Sequence, residues 1–319
     1  MTATAKFSIV LIGQRGRVGL EAALCLASLR AADPEFCAPV YIAEPQNCDL
    51  WTEDPRMAPE LRCCLQDMGA QILPFTAQTF GQAYPHGNKI EALAAMPQGP
   101  ALFLDSDTLI TGRLSQFAFP EHASAAPAPS PSWPSPSLYG PTRQQIWAAL
   151  FAQAGLCAET GNGGPNGRAI YGSAAWVYAP DAPQFGEIWR RMATQIWQSP
   201  PPELAGQALT PWLDQIALPL ALAAEKGGLY HGAPLPILHY RWLPLLYATA
   251  SEAQLAALRQ IAEQKPLKHL LKADPVFRRF MYQKAGARAR ALFDPARLPR
   301  SEMAIRKRLR RAGLWQRSI

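Results

Sequence analysis

The chain contains 319 residues, of which 49% are hydrophobic and 17% are charged. This composition supports a sizeable folded core and excludes a disordered chain or a small disulfide-stabilised peptide. The formal net charge of +7 is uneven: residues 265–319 hold sixteen Lys or Arg and three acidic residues, a balance of +13, which leaves −6 for residues 1–264. An acidic body argues against nucleic acid as the main partner, whereas the basic tail suits phosphates of lipid head groups or of a nucleic acid.

The N-terminal sequence and the cysteines together predict a cytoplasmic protein. The first twelve residues contain too short an apolar run to span a bilayer and are not followed by a cleavage site. The six cysteines include no CxxC pair and no Cys/His spacing suited to zinc. We therefore expect buried free thiols, as in a reducing compartment.

Short apolar runs and helical spacing alternate along the chain. The predicted strands are 6–12, 40–43, 70–75, 100–104, 169–179 and 236–239. The predicted helices between them are 18–30, 59–68, 89–96, 144–154, 185–197 and 212–225. The Ala/Pro/Ser-rich stretch 123–137 by itself indicates a surface linker. Helices are predicted from residue 251 onward. The alternation predicts an α/β fold with a parallel sheet.

A glycine turn follows the first predicted strand. Gly13, Gly16 and Gly19 lie between a strand and a helix, and Glu44 closes the next strand. Such glycines let a pyrophosphate approach a helix N-terminus, and an acid in the position of Glu44 can bind a ribose hydroxyl. Because the spacing is GxxGxxG rather than GxGxxG, an ordinary βα turn is favoured, and an NAD(P)-dependent oxidoreductase is kept as the alternative function.

Two acidic residues end the most hydrophobic predicted strand. Asp105 and Asp107 follow the run PALFL, and side chains two residues apart in extended chain point to the same side. Two such carboxylates can share a hard divalent cation that also bridges a diphosphate. An Asp-x-Asp pair alone more often caps a turn.

Around this pair the sequence resembles glycosyltransferase family 8, the GT-A fold enzymes of the glycogenin and lipopolysaccharide galactosyltransferase type. The colinear motifs that carry the resemblance are LFLDSDTLI around Asp105, the basic residue Lys89 sixteen residues upstream, Ala125-Ala126-Pro127 with Trp133-Pro134, YGSAAWVYAPD at 171–181, Asp214-Gln215, and the late His239. The resemblance implies a GT-A fold with a mostly parallel central sheet and flanking helices. The stretch 123–137 is accordingly expected to form a strand and an active-site loop. We place the GT-A domain at 1–250 and a basic helical C-terminal extension at 251–319.

The resemblance also implies a function: a metal-dependent hexosyltransferase that moves a sugar from a nucleotide-diphosphate sugar to a glycan or lipid-linked acceptor with retention of configuration. The expected donor is UDP-linked. Mn²⁺ or Mg²⁺ would be held by Asp105, Asp107 and His239. Asp214 and Gln215 would be catalytic. The residues expected to contact the donor are Gly13, Lys89, Asp105, Ser106, Ser173 and Arg241.

Several positions depart from the family pattern. Gly172 replaces its Asn and Ala174 its Gly, so an amide that contacts the donor sugar is missing, and Ala128 stands where an acid commonly follows Ala-Ala-Pro. Arg241 is expected to supply the cation for the β-phosphate in place of a family lysine. These changes leave the identity of the donor sugar open.

The C-terminal segment 303–315 has one apolar helical side, formed by Ile305, Leu309 and Ala312, among basic residues. Such a helix can lie on an anionic membrane with Trp315 at the interface, which would make the protein peripheral at the inner membrane face. A solvated terminus and a nucleic-acid arm are the alternatives. A third function, a noncatalytic membrane or nucleic-acid adaptor carried by this tail, also stays open.

Overall fold

The computed structural model describes residues 7–128, 133–135, 138–157, 172–294, 297–299 and 301–315. The strands are β1 Ser8–Ile12, β2 Val40–Pro45, β3 Gln71–Phe75, β4 Ala101–Leu104, β5 Thr108–Ile110, β6 Ser124–Pro127, β7 Gly172–Ala179, β8 Gly228–Leu229 and β9 Ile237–His239. The helices are α1 Arg17–Ala32, α2 Pro59–Asp67, α3 Asn88–Ala94, α4 Arg143–Gln153, α5 Ala182–Gln198, α6 Leu213–Ala224, α7 Leu243–Thr249, α8 Glu252–Ala262, α9 Lys265–Ala273, α10 Pro275–Phe277, α11 Lys284–Ala291 and α12 Glu302–Arg311.

The central sheet has seven strands in the order β3-β2-β1-β4-β7-β6-β8. Strands β3, β2, β1 and β4 are parallel, while β7 runs antiparallel to both β4 and β6. The predicted α/β fold class with a mostly parallel sheet and flanking helices is confirmed. The sequence did not indicate the direction of β7, because a buried apolar run reads the same in a parallel and an antiparallel strand.

A second, two-stranded sheet pairs β5 with β9 antiparallel, with Thr108 opposite His239. The sequence predicted β9 but not β5, which is only three residues long. Strand β6 lies within the Ala/Pro/Ser-rich stretch and pairs with β7, and Trp133 beyond it is buried. The linker interpretation of 123–137 is therefore wrong for its described residues. Residues 129–132 and 136–137, and residues 169–171 of the predicted strand 169–179, lie outside the described residues.

Each face of the central sheet packs against a hydrophobic cluster. Because side chains alternate along β1, Ile9 and Leu11 enter one cluster while Val10 and Ile12 enter the other. The first cluster holds α1 together with α7–α12, and the second holds α3, α5 and α6. The strands are therefore covered on both faces, as their continuous apolar runs require.

The C-terminal segment is helical, as predicted, and its apolar side chains belong to the first cluster. Leu258 of α8 and Leu271 of α9 are buried there, and so are Ile305 and Leu309 of α12. The side of α12 that was predicted to face a bilayer therefore packs into the fold. The domain boundary at residue 250 remains a prediction.

Cys25, Cys37, Cys48, Cys63 and Cys64 are free thiols. Cys25 and Cys64 are buried, whereas Cys37, Cys63 and Cys157 are exposed and Cys48 is intermediate. The prediction of buried thiols is wrong for the exposed three: Cys63 lies on the exposed side of α2, and Cys37 and Cys157 lie outside the helices and strands. No helix in the described part of the chain has the length and apolar character needed to cross a membrane.

Candidate active site

The pair of carboxylates lies where β4 leaves the central sheet. The backbone N–H of Asp105 still donates to the carbonyl of Ala175 on β7 at 2.9 Å. Two residues later, the carbonyl of Asp107 accepts from the N–H of Tyr240 at 3.0 Å. The pairing of β5 with β9 then brings His239 beside the pair, with Nε2 3.1 Å from Asp107 Oδ1 and 3.8 Å from Asp105 Oδ2.

The three predicted metal ligands thus come together from segments more than 130 residues apart in the sequence. One ligand atom from each of Asp105, Asp107 and His239 lies within 4.8 Å of the other two, and all three side chains are partly exposed. Two carboxylates and one imidazole form a donor set that fits Mn²⁺ or Mg²⁺. The residues present therefore fit the predicted cation.

Asp105, Asp107 and His239 shift one another's pKa values. Burial opposes the imidazolium form, but the hydrogen bond and charge of Asp107, with the charge of Asp105, outweigh burial and raise the pKa of His239. Burial likewise opposes ionisation of Asp107, yet the hydrogen bond and charge of His239 lower its pKa. Asp105 behaves differently, because burial and the neighbouring Asp107 raise its pKa despite the charge of Lys89.

Lys89 is a buried ion-pair partner rather than a solvated helix lysine. Its Nζ lies 2.8 Å from Asp105 Oδ1 and 3.0 Å from Asp214 Oδ2, and 8% of its side chain is exposed. Burial opposes the ammonium, but Asp105 and Asp214 together raise the pKa of Lys89. Lys89 consequently links the predicted metal ligand Asp105 to the predicted catalytic residue Asp214.

Asp214 is held by a second buried group that the sequence did not reveal. The hydroxyl of Tyr84 donates to Asp214 Oδ1 at 2.6 Å and accepts from the Asp214 backbone N–H at 3.0 Å. The indole of Trp189 donates to the Asp214 carbonyl at 3.0 Å. Gln215 is the next residue of α6, and its side chain is half-buried. The sequence around Tyr84 does not predict this contact, because Asp214 is 130 residues away along the chain.

The carboxylates face a cavity of about 310 Å³ at the C-terminal end of β1 and β4. Its apolar wall includes Ile12, Val18 and Phe103. Its polar lining residues are Gln14, Arg17, Glu21, His86, Lys89, Asp105, Ser106 and Asp107. The predicted donor contacts Lys89, Asp105 and Ser106 therefore share one cavity, and Arg17, Glu21 and His86 join them without having been predicted.

The other three predicted donor contacts, Gly13, Ser173 and Arg241, are not among the residues that line this cavity. Gly13 faces the core: a Cβ there would lie 2.3 Å from Ile42 and 2.8 Å from Met57. Ser173 is half-buried at the start of β7, and its Oγ accepts from the N–H of Ala175 at 3.3 Å. Arg241 follows the His239 strand and forms an ion pair with Glu302 of α12. These three residues remain predicted contacts.

Two departures from the family pattern have structural consequences. Ala174 adopts φ 48, a left-handed conformation that glycine accepts more readily. A Cβ on Gly172 would lie 3.1 Å from Leu218 and 3.2 Å from Leu229, so a side chain at position 172 requires both leucines to shift.

Glu44, the candidate ribose ligand of the alternative function, is already engaged. It is buried, its Oε2 lies 2.7 Å from Arg62 Nη2, and its Oε1 accepts from the N–H of Met57 at 3.0 Å. A ribose hydroxyl would have to compete with both partners for the carboxylate. The structure therefore does not favour the oxidoreductase alternative.

Comparisons with known proteins give one family. Residues 9–226 match the family model described as Rhodobacterales glycosyltransferase domain. Among curated proteins there is no match.

The solved structures that are similar to the chain include three glycosyltransferase structures. One is the glycosyltransferase GlyE of Streptococcus pneumoniae TIGR4, at 16% identity and a TM-score of 0.40, over 71% of this chain and 46% of GlyE. Another is the galactosyltransferase LgtC in complex with donor and acceptor sugar analogs, at 13% identity and a TM-score of 0.45, over 80% of this chain and 95% of LgtC. An active-site mutant of LgtC matches at 14% identity and a TM-score of 0.39, over 70% of this chain and 71% of that one. The chain thus spans less than half the length of GlyE.

Proposed function

The chain belongs to the Rhodobacterales glycosyltransferase domain family, and we propose that it is a metal-dependent enzyme that transfers a hexose from a nucleotide-diphosphate sugar. The glycosyltransferase prediction made from the sequence motifs is confirmed by this membership. The donor is proposed to be UDP-linked, the acceptor a glycan or a lipid-linked glycan, and the anomeric configuration to be retained.

One observation carries the proposal. Asp105, Asp107 and His239 place their ligand atoms within 4.8 Å of one another, and both carboxylates line a cavity of about 310 Å³ at the C-terminal end of the sheet. Open α/β sheets bind their ligands at this end. A divalent cation bound there supplies positive charge that neutralises a leaving diphosphate.

The chain's own residues have distinct proposed roles around that cation. Asp105 and Asp107 supply carboxylate oxygens, and His239 supplies Nε2. Lys89 compensates the charges of Asp105 and Asp214, which keeps both side chains in fixed positions. Asp214 and Gln215 would orient the donor sugar, with Asp214 stabilising positive charge that develops at the anomeric carbon. Arg241, Gly13 and Ser173 are proposed as further donor contacts.

The test is a thermal-shift and turnover experiment with a panel of nucleotide sugars, each with Mn²⁺, with Mg²⁺ or with EDTA. A ligand that binds only the native state raises its apparent stability, so we expect stabilisation by one nucleotide class and only when the metal is present. Asp105→Asn and Asp107→Asn should each reduce sugar turnover by roughly 100-fold or more, while Asp67→Asn, at an exposed position, should not. Turnover that is insensitive to EDTA in the unsubstituted protein would contradict the proposal.

Association with an anionic membrane is proposed through charge alone. The apolar side of α12 is buried, but Lys307, Arg308, Arg310 and Arg311 are exposed. Binding to vesicles containing phosphatidylserine should weaken as salt rises and be absent with phosphatidylcholine alone. Binding that persists at high salt would contradict this mode of association.

A further inference from the structure

The first residue of α1 places a guanidinium group in the wall of the cavity. Arg17 lines the cavity together with Asp105 and Asp107, and 33% of its side chain is exposed. The sequence motifs gave Arg17 no specific role. Its neighbour Arg15 points to solvent, with 65% of the side chain exposed and a distance of 3.8 Å to Glu53.

Two contacts hold the Arg17 side chain in this position. Nη1 donates to Oε1 of Glu21 at 3.1 Å, and Glu21 is buried. The guanidinium carbon lies 4.6 Å from the centre of the Trp242 ring. A guanidinium that is fixed before binding loses less conformational freedom when a ligand arrives. Since Glu21 accepts a hydrogen bond from Nη1 of Arg17, the N–H groups of Nε and Nη2 can donate hydrogen bonds to a ligand.

The position of Arg17 relative to the metal ligands suits an anion. Trp242, whose ring lies against the guanidinium, comes three residues after His239, and Arg17 lines the same cavity as Asp105 and Asp107. The two cations suggested by the sequence are already paired, Lys89 with two carboxylates and Arg241 with Glu302. Arg17 is paired with one acid and still faces the cavity.

We infer that Arg17 binds the diphosphate of the donor. This inference rests on the proposed function, because it assumes that a diphosphate enters the cavity. A planar guanidinium can donate two parallel hydrogen bonds to phosphate oxygens. Its charge would add to that of the metal as the diphosphate leaves, and Glu21 and Trp242 act as positioning residues for it.

The experiment measures binding of three probes by calorimetry in the presence of Mg²⁺: inorganic pyrophosphate, UDP and uridine. In Arg17→Ala, the affinity for pyrophosphate and for UDP should fall roughly 10- to 100-fold, the range for a lost charge-assisted hydrogen bond. Affinity for uridine should not change, since uridine has no phosphate. Arg17→Lys should retain part of the affinity, because it keeps the charge and loses the paired donors. The matched control Arg15→Ala should bind all three probes like the unsubstituted protein.

A second variant separates loss of binding from loss of folding. Arg17→Ala leaves Glu21 buried without its cation, and the double variant Arg17→Ala/Glu21→Gln removes that charge while the same loss of pyrophosphate binding is expected. Undiminished affinity of either variant for pyrophosphate and UDP would overturn the inference. An equal loss for uridine would also overturn it and assign Arg17 to the nucleoside. If the unsubstituted protein binds neither pyrophosphate nor UDP, the proposed function fails, and the inference fails with it.

Discussion

Replacing Lys89 with Met removes the cation that two buried carboxylates share. The ammonium lies 2.8 Å from Asp105 and 3.0 Å from Asp214, and at these separations each attraction is worth roughly 5–6 kcal/mol at an effective dielectric constant of about 20. Desolvation of the three groups offsets most of that attraction in the intact protein, but it is not recovered when only the cation is removed. We therefore expect Lys89→Met to lower the free energy of unfolding by about 3–5 kcal/mol.

Chemical denaturation with EDTA present measures this loss, because the shift of the transition at constant slope reports stability. The matched control is Lys268→Met, whose ammonium pairs with Glu263 at a surface where 32% and 54% of the two side chains are exposed; it should cost less than about 1 kcal/mol. Adding Asp214→Asn should destabilise the unsubstituted protein but partly restore Lys89→Met, because it removes one of the two unpaired acids. A Lys89→Met variant within about 1 kcal/mol of the unsubstituted protein, or no such reversal of sign, would refute the reasoning.

Three further changes test the packing and charge around the site. Tyr84→Phe removes a buried donor to Asp214 and should lower the free energy of unfolding by about 1.5–3 kcal/mol in the same denaturation assay; unchanged stability would contradict the described bond. Burial, opposed by Arg17, raises the pKa of Glu21 above 4.5. The folded chain therefore keeps Glu21 protonated to a higher pH than the unfolded chain does. As the pH rises through the folded pKa, ionisation of Glu21 lowers the free energy of unfolding. Glu21→Gln should accordingly gain stability relative to the unsubstituted protein from pH 4.5 upward, and a pH-independent difference would argue against that shift. Gly186→Ala would place a Cβ 2.2 Å from the backbone nitrogen of Ala94, so α3 and α5 must separate; we expect a loss of about 1–3 kcal/mol or more, and a thermal melt matching that of the unsubstituted protein would exclude the close contact.

Most strands and helices near the site were predictable because their signals are local. The continuous apolar run before Asp105 predicted a central strand, and β4 at Ala101–Leu104 is fully buried. The helical spacing after residue 185 predicted α5, although that helix begins at Ala182 with Asp181 as its N-cap. By contrast, the three residues of β5 are too few to show a period, and their partner strand lies far along the chain.

The candidate site was predictable in part for the same reason. Asp105 and Asp107 follow a recognisable strand, and colinear motifs placed Asp214 and His239 in order. The sequence could not show that Lys89 is buried between two acids, since a lysine on a short helix is solvated in most proteins. Tyr84 belongs to no motif and gained its role only through its contact with Asp214.

The sequence by itself determined the alternation of strands and helices, the chemistry of the Asp-x-Asp pair and the basic character of the C-terminus, because these depend on residue type and short spacing. Only the tertiary structure decided that α12 packs its apolar side into the core, that β9 brings His239 to Asp107, and that Arg17 faces the same cavity. The physical reason is that burial, charge compensation and hydrogen bonding depend on neighbours that chain folding selects. Those neighbours are separated by tens to more than a hundred residues along the chain, so a local sequence pattern does not predict how close they lie in space.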